Sequence, residues 1–132
     1  MSEHNPRSMR TPLGRVRHLG SAHHGTQVFW HQRLTAVAMV PLTIALIFII
    51  ISVLGRNHAA VVQILASTYV SVVLLLFVTS GIYHMWLGMQ VIIEDYVHHE
   101  IWKIVALMSN TFFAFAIGLA ATYANLKLSF GF

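Results

Sequence analysis

The sequence predicts an all-α integral membrane protein with three transmembrane helices, and two observations carry that class. The first is charge patterning. No Asp, Glu, Lys or Arg occurs in the 22 residues between Arg33 and Arg56, the 37 between Arg56 and Glu94, or the 23 between Lys103 and Lys127. About 20 apolar residues cross a bilayer as a helix, so each run suffices for one crossing. The second is composition. Over 132 residues the chain is 57% hydrophobic and 9% charged, with a mean hydropathy of +0.70. A water-soluble domain of this size is far more polar.

The first 27 residues form a polar tail holding Pro6, Pro12, Gly14, Gly20 and Gly25. It has no apolar core, so it is expected to be an extended tail and not a cleavable secretory signal. The membrane part is expected over 28–132, with spans at about 28–54, 59–93 and 104–125. Span one contains Pro41, which membrane helices tolerate and which is expected to kink it. The loop around Gly55-Arg56-Asn57-His58 turns the chain. Span two is longer than one crossing needs, so it is expected to tilt or protrude. In span three, Ser109, Asn110 and Gly118 are expected to pack or hydrogen-bond against a neighbouring helix.

Sidedness follows from the cations. Arg7, Arg10, Arg15, Arg17 and Arg33 precede span one and Lys103 follows span two, whereas only Arg56 and Lys127 fall on the other side. Six against two puts the tail and the 94–103 loop in the cytoplasm, or in the matrix of a mitochondrion, and a bacterial inner membrane is the simpler expectation. The net charge of +4 is thereby explained as topology, with no call for nucleic acid. Trp30, Tyr96 and Trp102 then stand at the cytoplasmic interface, where aromatic rings are favoured. The chain has no cysteine, which excludes disulfides and thiolate chemistry. It offers no nucleophile–base pair and no phosphate loop, so alone it is not expected to be an enzyme.

Three places could carry chemistry. His84 is the one histidine well inside an apolar span, and intramembrane ionisable groups point to function. At about 100° per residue, Ser80, Gly81, His84, Gly88, Val91 and Asp95 share one stripe of small residues. A haem iron could take the imidazole as an axial ligand; an imidazole bonded to another helix fits the pattern equally. One histidine supplies one axial position, so a haem would require a partner chain. Asp95-Tyr96 close span two. They are either an ordinary interfacial helix end or a site where a tyrosine hydroxyl donates to a quinone oxygen beside a carboxylate. Arg33 is either a snorkelling interfacial cation or a guanidinium that holds an anionic cofactor group. The remaining histidines, His18, His23, His24, His98 and His99 among them, lie in the tail and loops and are not spaced as a metal site.

The order Arg33-Leu-Thr-Ala, His84-x-x-x-Gly88 and Asp95-Tyr96-Val97, over three spans, resembles the hydrophobic membrane anchor (the small cytochrome b chain) of succinate dehydrogenase, respiratory complex II. The spacing of 12 between His84 and Tyr96 matches that family's bacterial members. Trp30-x-x-Arg33-Leu-Thr-Ala and Glu94-Asp95-Tyr96-Val97-His98 are most similar to its alphaproteobacterial branch. The resemblance covers roughly residues 25–127. It implies that His84 is one axial ligand of haem b, the iron's second ligand coming from the companion anchor chain of the same complex. It implies a propionate partner in Arg33, a ubiquinone hydrogen bond from Tyr96, and support of that pocket by Asp95. It also implies membership of a heteromeric helical bundle that holds the iron–sulfur and flavoprotein subunits at the lipid bilayer. Two rivals remain on the residues alone. One is the anchor of a fumarate reductase or another quinone-linked oxidoreductase. The other is a haem-free structural or transport subunit in which His84 only packs or relays protons.

Overall fold

The computed structural model describes residues 11, 13 and 24–131, with the side chain of His24 excluded. Four helices cover nearly all of this: α1 His24–Val53, α2 His58–Leu65, α3 Thr68–Tyr96 and α4 Glu100–Phe130. The three long ones have 30, 29 and 31 residues. At 1.5 Å per residue each is about 45 Å long, beyond the roughly 30 Å of a hydrocarbon core. Their length and apolar composition make all three candidate membrane spans, as the charge gaps predict.

The helix ends have local causes. Gly55, at φ +72°, turns the chain out of α1 in a conformation L side chains rarely adopt. Asn57 caps α2, its side chain accepting from the Ala60 amide at 2.9 Å. The stretch 59–93 is not one continuous helix. Ala66 ends α2, and Ser67 is extended, with φ −65° and ψ 138°, before α3 begins. Part of the excess length of span two is thus an eight-residue helix set apart from the crossing, while α3 alone still exceeds the hydrocarbon core. Pro41 lies inside α1, which continues through it. At the other end Lys103 donates from Nζ to the Glu94 carbonyl at 2.9 Å, satisfying one of the free carbonyls at the close of α3.

α3 is the middle of the assembly. Among the described residues α1 and α4 each pack along α3 and do not touch one another. The interior is small and unusually polar: Leu87, Ile93 and Ala114 are buried, and so are Ser71, Asn110 and Asn125. Large apolar side chains such as Leu34, Val37, Phe48, Phe112 and Leu119 point outward. That inversion suits lipid, where apolar side chains gain nothing by turning inward and hydrogen bonds join the helices.

Two polar clamps join α3 to α4. Asn110 donates from Nδ2 to the Trp86 carbonyl at 3.0 Å, and Trp86 donates from Nε1 to the Thr111 hydroxyl at 3.2 Å. Toward the other end, the Ser71 hydroxyl donates to Asn125 Oδ1 at 2.9 Å while Asn125 Nδ2 returns a bond to the Ser71 carbonyl at 3.0 Å. The Ser129 hydroxyl closes this second cluster against Ser71. Between the clamps Gly118 faces Ile82 of α3, 3.6 Å from where a Cβ would stand. The expected packing of Asn110 and Gly118 therefore holds, whereas Ser109 faces outward.

The Ser71–Asn125 pair yields a stability prediction. A double-mutant cycle with Ser71→Ala and Asn125→Ala, followed by denaturant titration in micelles, should give a coupling of about 0.5–1.5 kcal/mol. Strictly additive losses would show that the two side chains do not support one another.

Candidate functional site

His84 is half-buried in the middle of α3, on the face that α1 covers. The small residues of its stripe explain how α1 comes so close. A Cβ on Gly81 would lie 3.5 Å from the Met39 methyl carbon, and one on Gly88 would lie 3.2 Å from Gln32 Nε2. Gly88 is the tighter of the two: an alanine there would press on the Gln32 amide. The stripe marked by Gly81, His84 and Gly88 is thus occupied by the chain's own first helix.

Both ring nitrogens of His84 meet α1. Nδ1 is 2.9 Å from the Thr35 hydroxyl, and Nε2 is 3.3 Å from Gln32 Nε2. Residues 32 and 35 lie three apart and so share a helix face. The Thr35 hydroxyl also bonds its own backbone, at 2.8 Å from the His31 carbonyl and 3.1 Å from that of Gln32. Gln32 Oε1 is buried and has no hydrogen-bond partner. An aromatic chain flanks this core: His31 meets Tyr83 edge-on at 6.0 Å, and Tyr83 lies against Trp86 at 5.8 Å.

The other sequence-predicted residues lie apart from His84. Arg33 is exposed, its guanidinium 4.3 Å above the Phe29 ring, a cation–π contact on the outer side of α1. Asp95 and Tyr96 are exposed at the last turn of α3, Tyr96 to 77%. Twelve residues of helix separate Tyr96 from His84, about 18 Å. Their neighbour Glu94 accepts a hydrogen bond from Gln90 at 2.9 Å. The structure therefore brings Gln32, Thr35 and His84 together and leaves Arg33, Asp95 and Tyr96 on open surface.

No group of three or more His, Asp or Glu side chains able to hold a metal ion occurs among the described residues. His18 and His23, with the side chain of His24, lie outside the described residues. Gln32 and Thr35 were not singled out from the sequence as partners of His84. Their signal was present nonetheless: two polar residues one turn apart, at the start of an otherwise apolar span.

Comparison with known proteins bears on this arrangement. The family model for the succinate dehydrogenase/fumarate reductase transmembrane subunit matches residues 7–124. The succinate dehydrogenase hydrophobic membrane anchor subunit of Paracoccus denitrificans is 29% identical over 121 residues, covering 92% of this chain and 93% of its own length. The corresponding membrane anchor subunit of Reclinomonas americana is 34% identical over 86 residues, covering 63% of this chain and 72% of its own. That of Rickettsia bellii is 30% identical over 88 residues, covering 67% and 70%. No solved structure matches the chain. The resemblance carried by Arg33-Leu-Thr-Ala, His84 and Asp95-Tyr96 is upheld, and the chain belongs to the succinate dehydrogenase/fumarate reductase transmembrane subunit family.

Proposed function

We propose that this chain anchors succinate dehydrogenase in the membrane, gives haem b one axial ligand through His84, and helps form the site where ubiquinone is reduced. The observation that carries this reading is His84 itself. It is a half-buried imidazole at intermediate depth in a family of membrane anchors, and no backbone group holds its Nε2. The group facing Nε2 is the end of a flexible side chain, Gln32, whose own Oε1 is buried without a partner. By its chemistry such a nitrogen would suit an iron, and Gln32 would give up only a 3.3 Å contact on moving aside. The second position falls to a residue of the companion anchor chain, because the other histidine within a span, His31, stands near the start of α1 with its ring edge-on to Tyr83.

When bound, the haem supplies a one-electron carrier within the membrane, and this chain contributes position and charge. His84 would hold the iron from α3. Arg33, exposed and supported on Phe29, is the cation assigned to a propionate. Tyr96 and Asp95, open at the end of α3, are available to partners: the tyrosine hydroxyl donates to a ubiquinone oxygen, and the carboxylate orients that hydroxyl or passes protons. The iron–sulfur and flavoprotein subunits dock at this end. The excess of cations in the tail and at Lys103 supports reading this end as the cytoplasmic side, with the N-terminus cytoplasmic, of what we take to be a bacterial inner membrane.

Two outcomes test the assignment. Tyr96→Phe removes one hydrogen bond to the quinone, so succinate-dependent ubiquinone reduction should fall about tenfold. Assembly, and succinate oxidation by an artificial acceptor, should stay intact. Unchanged quinone reduction would take Tyr96 out of the site. Arg33→Gln removes a positive charge, so the haem midpoint potential should become more negative in a redox titration; an unaltered potential would leave Arg33 as an interfacial cation only.

A further inference from the structure

Thr35 touches His84 and has no part in the proposed function. Its hydroxyl carries a single hydrogen and lies 2.8 Å from the His31 carbonyl and 3.1 Å from the Gln32 carbonyl. Carbonyl oxygens only accept, so that hydrogen points to the helix backbone; otherwise lone pairs would face one another at hydrogen-bond distance. Toward His84 the Thr35 oxygen is therefore an acceptor. Nδ1, 2.9 Å away, must be the donor.

A neutral imidazole has one N–H. With the proton on Nδ1, Nε2 keeps its lone pair, and the Gln32 amide nitrogen at 3.3 Å is the group that can donate to it. This fixes the orientation of that amide, and its other end, Oε1, is left buried without a partner. For a neutral ring and the Gln32 amide as it stands, these contacts fit one arrangement of protons. In it, Nε2 is the nitrogen ready to ligate.

We infer that Thr35 is a positioning residue for the axial ligand. It holds His84 as the Nδ1–H tautomer and presents a bare Nε2, with Gln32 as a placeholder that yields when iron takes the nitrogen. This rests on the proposed role of His84. Metal-bound histidines donate their other ring N–H to an acceptor that fixes the ring and raises its basicity, and losing that acceptor costs about 10–100-fold in metal affinity. Here the acceptor is a hydroxyl whose own hydrogen is committed to the α1 backbone. The geometry of α1 thereby reaches the iron through one side chain.

The test uses the whole purified complex. Thr35→Val keeps the β-branched shape and removes the acceptor, and Thr35→Ala removes it without adding bulk. Both should lower haem affinity about tenfold or more, read as transfer of haem to apomyoglobin. Both should also move the midpoint potential to more positive values, because a less basic imidazole stabilises ferric iron less. Thr35→Ser should restore affinity and potential. Wild-type retention and potential in the Val and Ala variants, or a Ser variant that behaves like them, would overturn the role of Thr35. His84→Ala separates this from the reading beneath it. If His84→Ala keeps the b-type spectrum, the axial assignment fails and the role of Thr35 with it. If His84→Ala loses the spectrum while Thr35→Val and Thr35→Ala retain haem normally, the role of Thr35 alone fails.

Discussion

The tertiary structure hangs on α3 having two usable faces. α1 and α4 do not pack along each other among the described residues, so most of the contacts that order the three spans are made with the middle helix, and the short α2 touches all three. One face is opened by glycines: Gly81 and Gly88 leave room for Met39 and Gln32. The other is bound by hydrogen bonds, from Asn110 to the Trp86 carbonyl and between Ser71 and Asn125. Those are the two means by which helices associate in lipid, where apolar surface alone gives little preference for one neighbour over another. His84 sits on the glycine face, and the aromatic pair Tyr83–Trp86 begins the turn toward the other.

Three helices joined mainly through α3 leave much apolar surface open. Phe112, Phe113, Phe115 and Leu119 of α4 and Val37, Val40, Ile44 and Phe48 of α1 are all exposed. In water such a surface would drive aggregation. In a bilayer it is ordinary. At the end of α3, Asp95 and Tyr96 stand clear of the bundle.

Much of this was legible in the sequence, for reasons specific to membranes. The charge-free runs located the three long helices because a charge in hydrocarbon is costly enough to punctuate the chain. Of the stripe Ser80, Gly81, His84, Gly88, Val91 and Asp95, the members Gly81, His84 and Gly88 meet α1, whereas Val91 and Asp95 are exposed. What packs there was not legible, since small residues announce close approach without naming the neighbour, and the nearest occupant is α1. The break between α2 and α3 was hidden for a local reason: Ala66-Ser67-Thr68 contains neither proline nor glycine, and the turn is made by an extended Ser67. The Ser71–Asn125 bond joins residues 54 apart, a pairing no local pattern records. Asn110 was visible as a polar residue in an apolar run, and its partner, a backbone carbonyl, was not. Arg33 stood out by its charge and by the resemblance, yet the α1 face that meets His84 is carried by Gln32 and Thr35, one on either side of it in sequence.

The most direct measurement is a reduced-minus-oxidised absorption spectrum of the complex isolated through a tag on this chain, with succinate as the reductant. We expect a b-type band that succinate can reduce, in material that also contains a flavoprotein and an iron–sulfur subunit. Material that holds both catalytic subunits and oxidises succinate but gives no b-type band would contradict the role assigned to His84. Material that lacks those subunits would contradict the anchor function itself.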